Sequence, residues 1–325
     1  MTINRRDFLR GAAGGTAAVA ACATLAPTPA EARGNLPVPE NAVGLLYDST
    51  LCIGCKACMS GCKEANGLPL EDTVGEGLWD TPLELSGKTY TVIKVYQHGT
   101  MEHKDQAENG FAHLKRQCLH CADPSCVSAC PVNAMTKDGP LGIVEYDKDA
   151  CIGCRYCVAA CPFGVPQFQY DTATPEIAKC QLCKHLIAEG KIPACAQVCP
   201  TGATLFGTYK ALDEEIARRK AMKPGEMHAF PRRTVDSGDV HEKAAPRYVD
   251  HVYGQKEVGG TQVRYLSGVA FDKLGLPTEL PERSYSSVSE TLQHTLYGYL
   301  AAPAVVLGGL VYAAYRGSQG HDDEE

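Results

Sequence analysis

The chain has 325 residues, 44% of them apolar and 21% charged, with a formal net charge of −7 and 17 cysteines. An acidic balance without a basic stripe excludes a nucleic-acid binder. A mean hydropathy of −0.18 limits any membrane part to an anchor on a soluble body. At the N-terminus, Asn4-Arg5-Arg6-Asp7-Phe8-Leu9-Arg10 runs into a weakly apolar Ala/Gly-rich stretch, Gly11 to Ala26. Paired arginines, a bulky apolar pair and a modest apolar region make residues 1–32 a twin-arginine signal peptide. That route exports folded proteins, so cofactors are installed in the reducing cytoplasm. Ala30-Glu31-Ala32 fits an A-x-A cleavage site, with Arg33 as the first mature residue; Val19-Ala20-Ala21-Cys22 resembles a lipobox and offers a second processing site. Cleavage after Ala32 takes the net charge from −7 to −8.

A linker over 33–43 leads to a core expected over 44–209, of α+β class. A short apolar strand, Gly44 to Tyr47, enters the group Cys52-Cys55-Cys58-Cys62. The insertion 63–117 contains a strand from Thr89 to Gln97, preceded by a surface loop around Trp79. The next groups are Cys118-Cys121-Cys126-Cys130 and Cys151-Cys154-Cys157-Cys161, the latter entered by a second strand, Gly142 to Tyr146. Cys180-Cys183-Cys195-Cys199 completes the set, and residues 201–209 (TGATLFGTY) read as a strand. Ala211 to Met222 reads as a charged amphipathic helix; the rest of 210–290 is loop-rich and serves to wrap the core or meet partner subunits. Thr295 to Tyr315 is 21 residues without a charge, long enough for a hydrocarbon core of roughly 30 Å. Tyr297, Tyr299, Tyr312 and Tyr315 supply aromatic belts to an anchor over 291–316, with an acidic tail over 317–325. Arg283 and Arg316 flank this anchor without orienting it, so its orientation rests on export.

Four groups of four cysteines decide the chemistry. The third reads C-x₂-C-x₂-C-x₃-C-P, a bacterial ferredoxin run, and the others are variants of it. Three thiolates on so short a loop grip one face of a cubane; the fourth, placed at the start of a helix, is aimed at a neighbouring cluster. Sixteen ligands at four per cluster imply four [4Fe–4S] centres. Zinc prefers two well-separated C-x₂-C pairs, and disulfides do not suit cysteines three apart in one loop. Tyr47–Lys56 closely matches Tyr146–Arg155, an internal repeat, so the four motifs should form two ferredoxin-like double-cluster modules: two with three, and one with four. Pro131, Pro162 and Pro200 follow a fourth cysteine, whereas Lys63 follows Cys62. Lys56, Lys63, Arg155, Lys179 and Lys184 flank cluster cysteines; they either raise cluster potentials or are solvated with little effect. No catalytic constellation stands out. His98, His103, His113, His120, His185 and His251 read as surface or supporting residues; His294 reads as an interfacial group, with a quinone contact as the alternative.

The pattern resembles the iron–sulfur subunits of hydrogenase-2-type membrane [NiFe] hydrogenases, within the four-cluster family of the molybdopterin oxidoreductases. The resemblance is carried by the leader, LLYDSTLCIGC at 45–55, KDQAENGFAHLKRQCLHCADPSCVSACP at 104–131, GIVEYDKDACIGCRYC at 142–157, GGTQVRYLSGV at 259–269 and QHTLY at 293–297. It implies crossed ligation of iron: Cys52, Cys55, Cys58 and Cys199 hold cluster 1; Cys180, Cys183, Cys195 and Cys62 hold cluster 2. Cluster 3 takes Cys118, Cys121, Cys126 and Cys161, and cluster 4 takes Cys151, Cys154, Cys157 and Cys130. It further implies a non-catalytic electron-transfer subunit on the periplasmic face of the inner membrane, with a single-pass anchor in the bilayer. Its partners would be hydrogenase small and large subunits and a multi-spanning quinone-reactive membrane subunit. The alternative is the equivalent subunit of a formate dehydrogenase or another molybdopterin enzyme.

Overall fold

The computed structural model describes residues 33–69, 82, 84–137 and 139–319, so Cys22, Trp79 and the leader lie outside the described residues. The chain forms two units, Asn35–Ser286 and a second made of Ser287–Glu325 with Met1–Gly34.

In the first unit, β1 (Val43–Asp48) is buried along its whole length, as expected of a strand with cover on both faces. It enters the first cysteine loop, from which α1 (Ala57–Ala65) emerges. The insertion then builds a three-stranded sheet from β2 (Val92–Gln97), β3 (His103–Lys104) and β4 (Gly110–Arg116), in the order β2-β4-β3. The remaining cysteine motifs surround α2 (Ser125–Ser128), the two-residue strands β5 (Met135–Thr136) and β6 (Glu145–Tyr146), and α3 (Tyr156–Ala160). They continue through β7 (Gln167–Phe168), β8 (Ile177–Ala178), α4 (Lys184–Ala188) and α5 (Ala194–Gln197). Helices of four or five residues cannot nucleate alone. Here α1 packs on α5 and α2 on α3, joining motif one to motif four and motif two to motif three.

The strand expected over 201–209 is β9 (Thr204–Thr208), and the amphipathic helix is α6 (Tyr209–Lys220), capped by Thr208 Oγ1 accepting from Ala211 N–H at 3.3 Å. The segment read as loop-rich carries β10 (Met227–Pro231), β11 (Arg233–Thr234), β12 (Val240–Ala244) and β13 (Val263–Leu266). Part of it completes the core sheet: β13 lies parallel to β1, with Tyr47 opposite Tyr265, in a sheet ordered β11-β9-β1-β13. Alternation was too short there to signal a strand; four residues buried on both faces carry no period of two.

Two other expectations change. The strand Gly142 to Tyr146 shrinks to β6, because side chains take the place of ladder partners at Val144: its N–H donates to His120 Nδ1 at 3.0 Å and its carbonyl accepts from Lys179 Nζ. The fourth cysteine ends a helix instead of opening one, because the three residues between third and fourth cysteines form one turn. Cys130, Cys161 and Cys199 lie just past α2, α3 and α5, where proline is tolerated in the turn that follows. Cys62 lies inside α1, which continues through Lys63 and so admits no proline.

The helix α7 (Tyr285–Gln319), which from Ser287 onward belongs to the second unit, is 35 residues, about 52 Å long at 1.5 Å per residue. Over Tyr285–Tyr312 it is long and apolar enough to cross a membrane, and it begins before the expected boundary at residue 291. Pro303 sits within it, and Leu292, Leu296, Val305, Leu310 and Val311 are exposed along it. His294 is exposed as well.

Candidate iron–sulfur centres

Each cysteine loop is shaped by a left-handed residue two positions after its first cysteine: Gly54, His120, Gly153 and Leu182. In three loops that turn aims an amide at sulfur. Gly54 N–H and Gly153 N–H donate to Cys52 Sγ and Cys151 Sγ at 3.4 Å, and Leu182 N–H to Cys180 Sγ at 3.3 Å. Such donors stabilise thiolate charge.

The loops bring the thiols of different motifs together. One pocket is lined by Cys52, Cys55, Cys58 and Cys199, with Tyr47, Ile93 and Thr204. A second is lined by Cys62, Cys180, Cys183 and Cys195 with Tyr90 and Thr91. A third is lined by Cys130, Cys151, Cys154 and Cys157 with Met135, Tyr146 and Ile177. The remaining thiols, Cys118, Cys121, Cys126 and Cys161, act on one another electrostatically as a fourth set. The sets also lie within electrostatic reach of one another in sequence: Cys58 acts on Cys195, Cys180 on Cys118, and Cys126 on Cys157.

Residues 111–209 match the family model of a 4Fe-4S dicluster domain, and residues 2–26 match the twin-arginine translocation pathway signal sequence. The hydrogenase-2 operon protein HybA of Escherichia coli O157:H7 is 43% identical over 332 residues, covering 99% of this chain and 100% of that protein. The chain belongs to the HybA family. Within reach of this family are the formate dehydrogenase-O iron-sulfur subunit of Escherichia coli K12, 35% identical over 80% of this chain and 79% of that protein, and a formate dehydrogenase iron-sulfur subunit of Haemophilus influenzae, 33% identical over 83% and 78%. Its cofactors are 4Fe-4S clusters, and with its leader and apolar helix the chain is exported by the twin-arginine route to the periplasmic side of the membrane, where it is anchored.

The residues of this HybA-family chain fit the cofactor. All sixteen motif cysteines are free thiols. Thiolates sharing one tetrahedral ion lie about 3.8 Å apart, given bonds of about 2.3 Å. Among the described residues no three Cys, His, Asp or Glu side chains are placed to share a single ion. Burial pushes the Cys62 and Cys126 thiols up to about 12 and Cys157 to about 11, so ionisation there needs a compensating cation, which iron supplies.

Four of the flanking cations have defined neighbours. Lys184 pairs with Glu145 at 2.6 Å, Arg155 lies 5.5 Å from the Phe168 ring, and Lys63 Nζ is held by the carbonyls of Pro69 and Lys88 at 2.9 and 2.7 Å. Lys179 is buried on the carbonyls of Val144 and Cys180. The cation that the motif reading missed is Lys115 on β4, 0% exposed. Its Nζ donates to Thr204 Oγ1 at 3.4 Å; burial alone would push its ammonium down, but Cys195 and Cys58 outweigh that and hold it above its ordinary range. It therefore sits between the first two thiol sets. A unit charge acting through an effective dielectric of about 20 over roughly 6 Å is worth about 3 kcal/mol, on the order of 100 mV for a one-electron couple. Lys115→Met is expected to lower the potentials of the two flanking centres by that order, read by redox titration with electron paramagnetic resonance; unchanged potentials would refute the role.

Two histidines also prove buried, His113 and His120, while His98, His103, His185 and His251 are exposed. Burial, with Lys104 and Lys56, pushes His113 down to about 4; it is a neutral ring packed over the first loop. A Cβ at Gly54 would lie 2.4 Å from His113 Cε1, whereas one at Gly153 would meet only Phe168 at 3.7 Å. Both glycines have φ +70. Gly153→Ala is expected to cost about 1–2 kcal/mol for its backbone alone, and Gly54→Ala distinctly more. Thermal unfolding of the two variants compares them, and equal losses would contradict the clash.

Proposed function

We propose that the chain is an electron-transfer subunit carrying four [4Fe–4S] clusters between a periplasmic [NiFe] hydrogenase and a quinone-reactive integral membrane subunit. The observation that carries this reading is the repeated cavity, three cysteines of one motif closed by the fourth of another. The ligand sets are Cys52, Cys55, Cys58 and Cys199 for cluster 1; Cys180, Cys183, Cys195 and Cys62 for cluster 2; Cys118, Cys121, Cys126 and Cys161 for cluster 3; and Cys151, Cys154, Cys157 and Cys130 for cluster 4. Motifs one and four form one ferredoxin-like module and motifs two and three the other, a division supported by the α1–α5 and α2–α3 packing.

Each cluster, when bound, takes up and releases one electron. The protein holds the iron, excludes water from it and sets the local field. The electrostatic proximity of Cys58 to Cys195, Cys180 to Cys118 and Cys126 to Cys157 supports a linear order from cluster 1 to cluster 4. Bond chemistry belongs to hydrogenase small and large subunits, and this chain supplies no catalytic residue. Residues 33–290 lie outside the inner membrane, 291–316 cross it once and 317–325 reach the cytoplasm, after removal of 1–32.

The similarity to formate dehydrogenase iron–sulfur subunits favours a second reading, the same wire on a molybdopterin enzyme. Affinity purification from membranes in mild detergent, with metal analysis and mass spectrometry, tests both. About sixteen iron per chain with nickel-bearing subunits supports the hydrogenase, and molybdenum or tungsten moves the wire to the alternative. Iron far below that stoichiometry refutes four clusters.

A further inference from the structure

Three tyrosines converge where β1 and β13 meet. Tyr265 is 1% exposed; its ring meets the edge of Tyr47 at 5.4 Å and stacks on Tyr253 at 6.1 Å, with planes 20° apart. Its backbone is pinned by a bridge to Tyr253, with N–H···O distances of 2.9 and 3.2 Å. The position of its hydroxyl is therefore set by the fold.

The hydroxyls of its two neighbours have protein acceptors. Tyr47 OH donates to the His113 carbonyl at 2.9 Å and Tyr253 OH to the Pro277 carbonyl at 2.8 Å. Tyr265 OH is buried with no hydrogen-bond partner. A phenol whose only task was packing would leave an orphan donor at a cost that phenylalanine avoids. Tyr265 lies in one buried cluster with Cys118, Cys180 and Cys195, and Val263 N–H, two residues before it, donates to the Leu119 carbonyl of the second motif at 3.0 Å. Of the charged groups that act on its hydroxyl, Arg116 comes first, followed by those three thiols. Cys118 belongs to the set assigned to cluster 3, and Cys180 and Cys195 to that of cluster 2.

We infer that the Tyr265 hydroxyl donates an O–H···S hydrogen bond to a cluster sulfur at the boundary between clusters 2 and 3, raising the potential of the cluster it touches. The inference rests on the ligand sets proposed above. A hydrogen bond to sulfur stabilises the reduced, more negative state, so Tyr265 tunes the step at which electrons leave one module for the other. It is a positioning and tuning residue supplied by the segment 259–269, outside all four cysteine motifs.

Tyr265→Phe in the detergent-extracted complex keeps the ring and removes the donor. With iron content retained, redox titration by electron paramagnetic resonance is expected to show one midpoint potential shifted downward. An exchangeable deuteron coupled to that cluster, seen by electron–nuclear double resonance in heavy water, should disappear. Tyr253→Phe, whose hydroxyl bonds a carbonyl, should leave every midpoint in place. Unchanged midpoints with the deuteron coupling retained in Tyr265→Phe would overturn the inference while leaving the ligand sets intact. Should that variant lose iron, oxygen-17-labelled tyrosine in the wild-type protein replaces it: hyperfine coupling to a reduced cluster supports the bond, and its absence overturns it. Wild-type protein lacking four cluster signals would overturn the ligand assignment itself, a separate failure.

Discussion

Chelating iron from the reduced protein is expected to abolish the cooperative unfolding transition of the cysteine-bearing region, with a large loss of far-UV circular dichroism. Cys52, Cys58, Cys118, Cys180 and Cys195 are members of the main hydrophobic core, so the cofactor's ligands occupy places that other proteins give to aliphatic side chains. Helices α2 to α5 have only four or five residues and are held by the loops at their ends. Binding free energy of metal is therefore folding free energy here. A smaller core of Leu46, Leu205, Leu212, Ile216, Val252 and Leu266, between the β1 sheet and α6, contains no cysteine. Residual structure after chelation should be confined to that layer. Thermal scans by circular dichroism, before and after iron removal, measure the effect. A full-amplitude cooperative transition in the iron-free protein would contradict it.

Arg219→Met is expected to destabilise the protein by about 3–5 kcal/mol, the range found when one partner of a buried ion pair is removed. The Arg219 guanidinium is 0% exposed and bonds Asp48 Oδ2 and Glu215 Oε1, each at 2.7 Å. Asp48 is equally buried and also accepts from Tyr248 OH at 2.6 Å. Without Arg219, the Asp48 carboxylate at the end of β1, four residues before Cys52, loses its buried ion-pair partner. Arg219→Lys should recover only part of the loss, because an ammonium cannot span both carboxylates as the planar fork does. Burial pushes the Glu215 carboxyl up, but Arg218 and Arg219 outweigh it and hold it below its ordinary value. A depressed carboxylate contributes stability that is present above its unfolded value, about 4.3, and is lost as pH falls through the folded one. The variant should therefore lose part of the acid-side slope as well. Denaturant unfolding at pH 7 and at pH values below 5 measures both effects, and a loss under 1 kcal/mol would show the pair to be dispensable.

The cysteine motifs were legible because their chemistry is local. Three thiols within seven residues, such as Cys151, Cys154 and Cys157, have few uses besides a cluster, whatever surrounds them. The strand into the first loop and the helix after β9 were likewise readable from short-range pattern. The strand before motif three was read too long, because His120 and Lys179, distant in sequence, replace its ladder bonds.

By itself, the sequence determined the cofactor type, the export route and the apolar helix, since spacing, paired arginines and an uncharged run each act within a few dozen residues. Only the tertiary structure decided which groups stand between the thiol sets. Lys115 comes from the insertion and Tyr265 from a segment that looked like loop, and neither bears a motif. Their roles depend on strand pairings between residues well separated in the chain, Ile93 with Lys115 in the β2–β4 ladder and Tyr47 with Tyr265 across β1 and β13. The field around a buried centre is made by whatever the fold brings near it, and nearness in space across such pairings leaves no local trace in the chain.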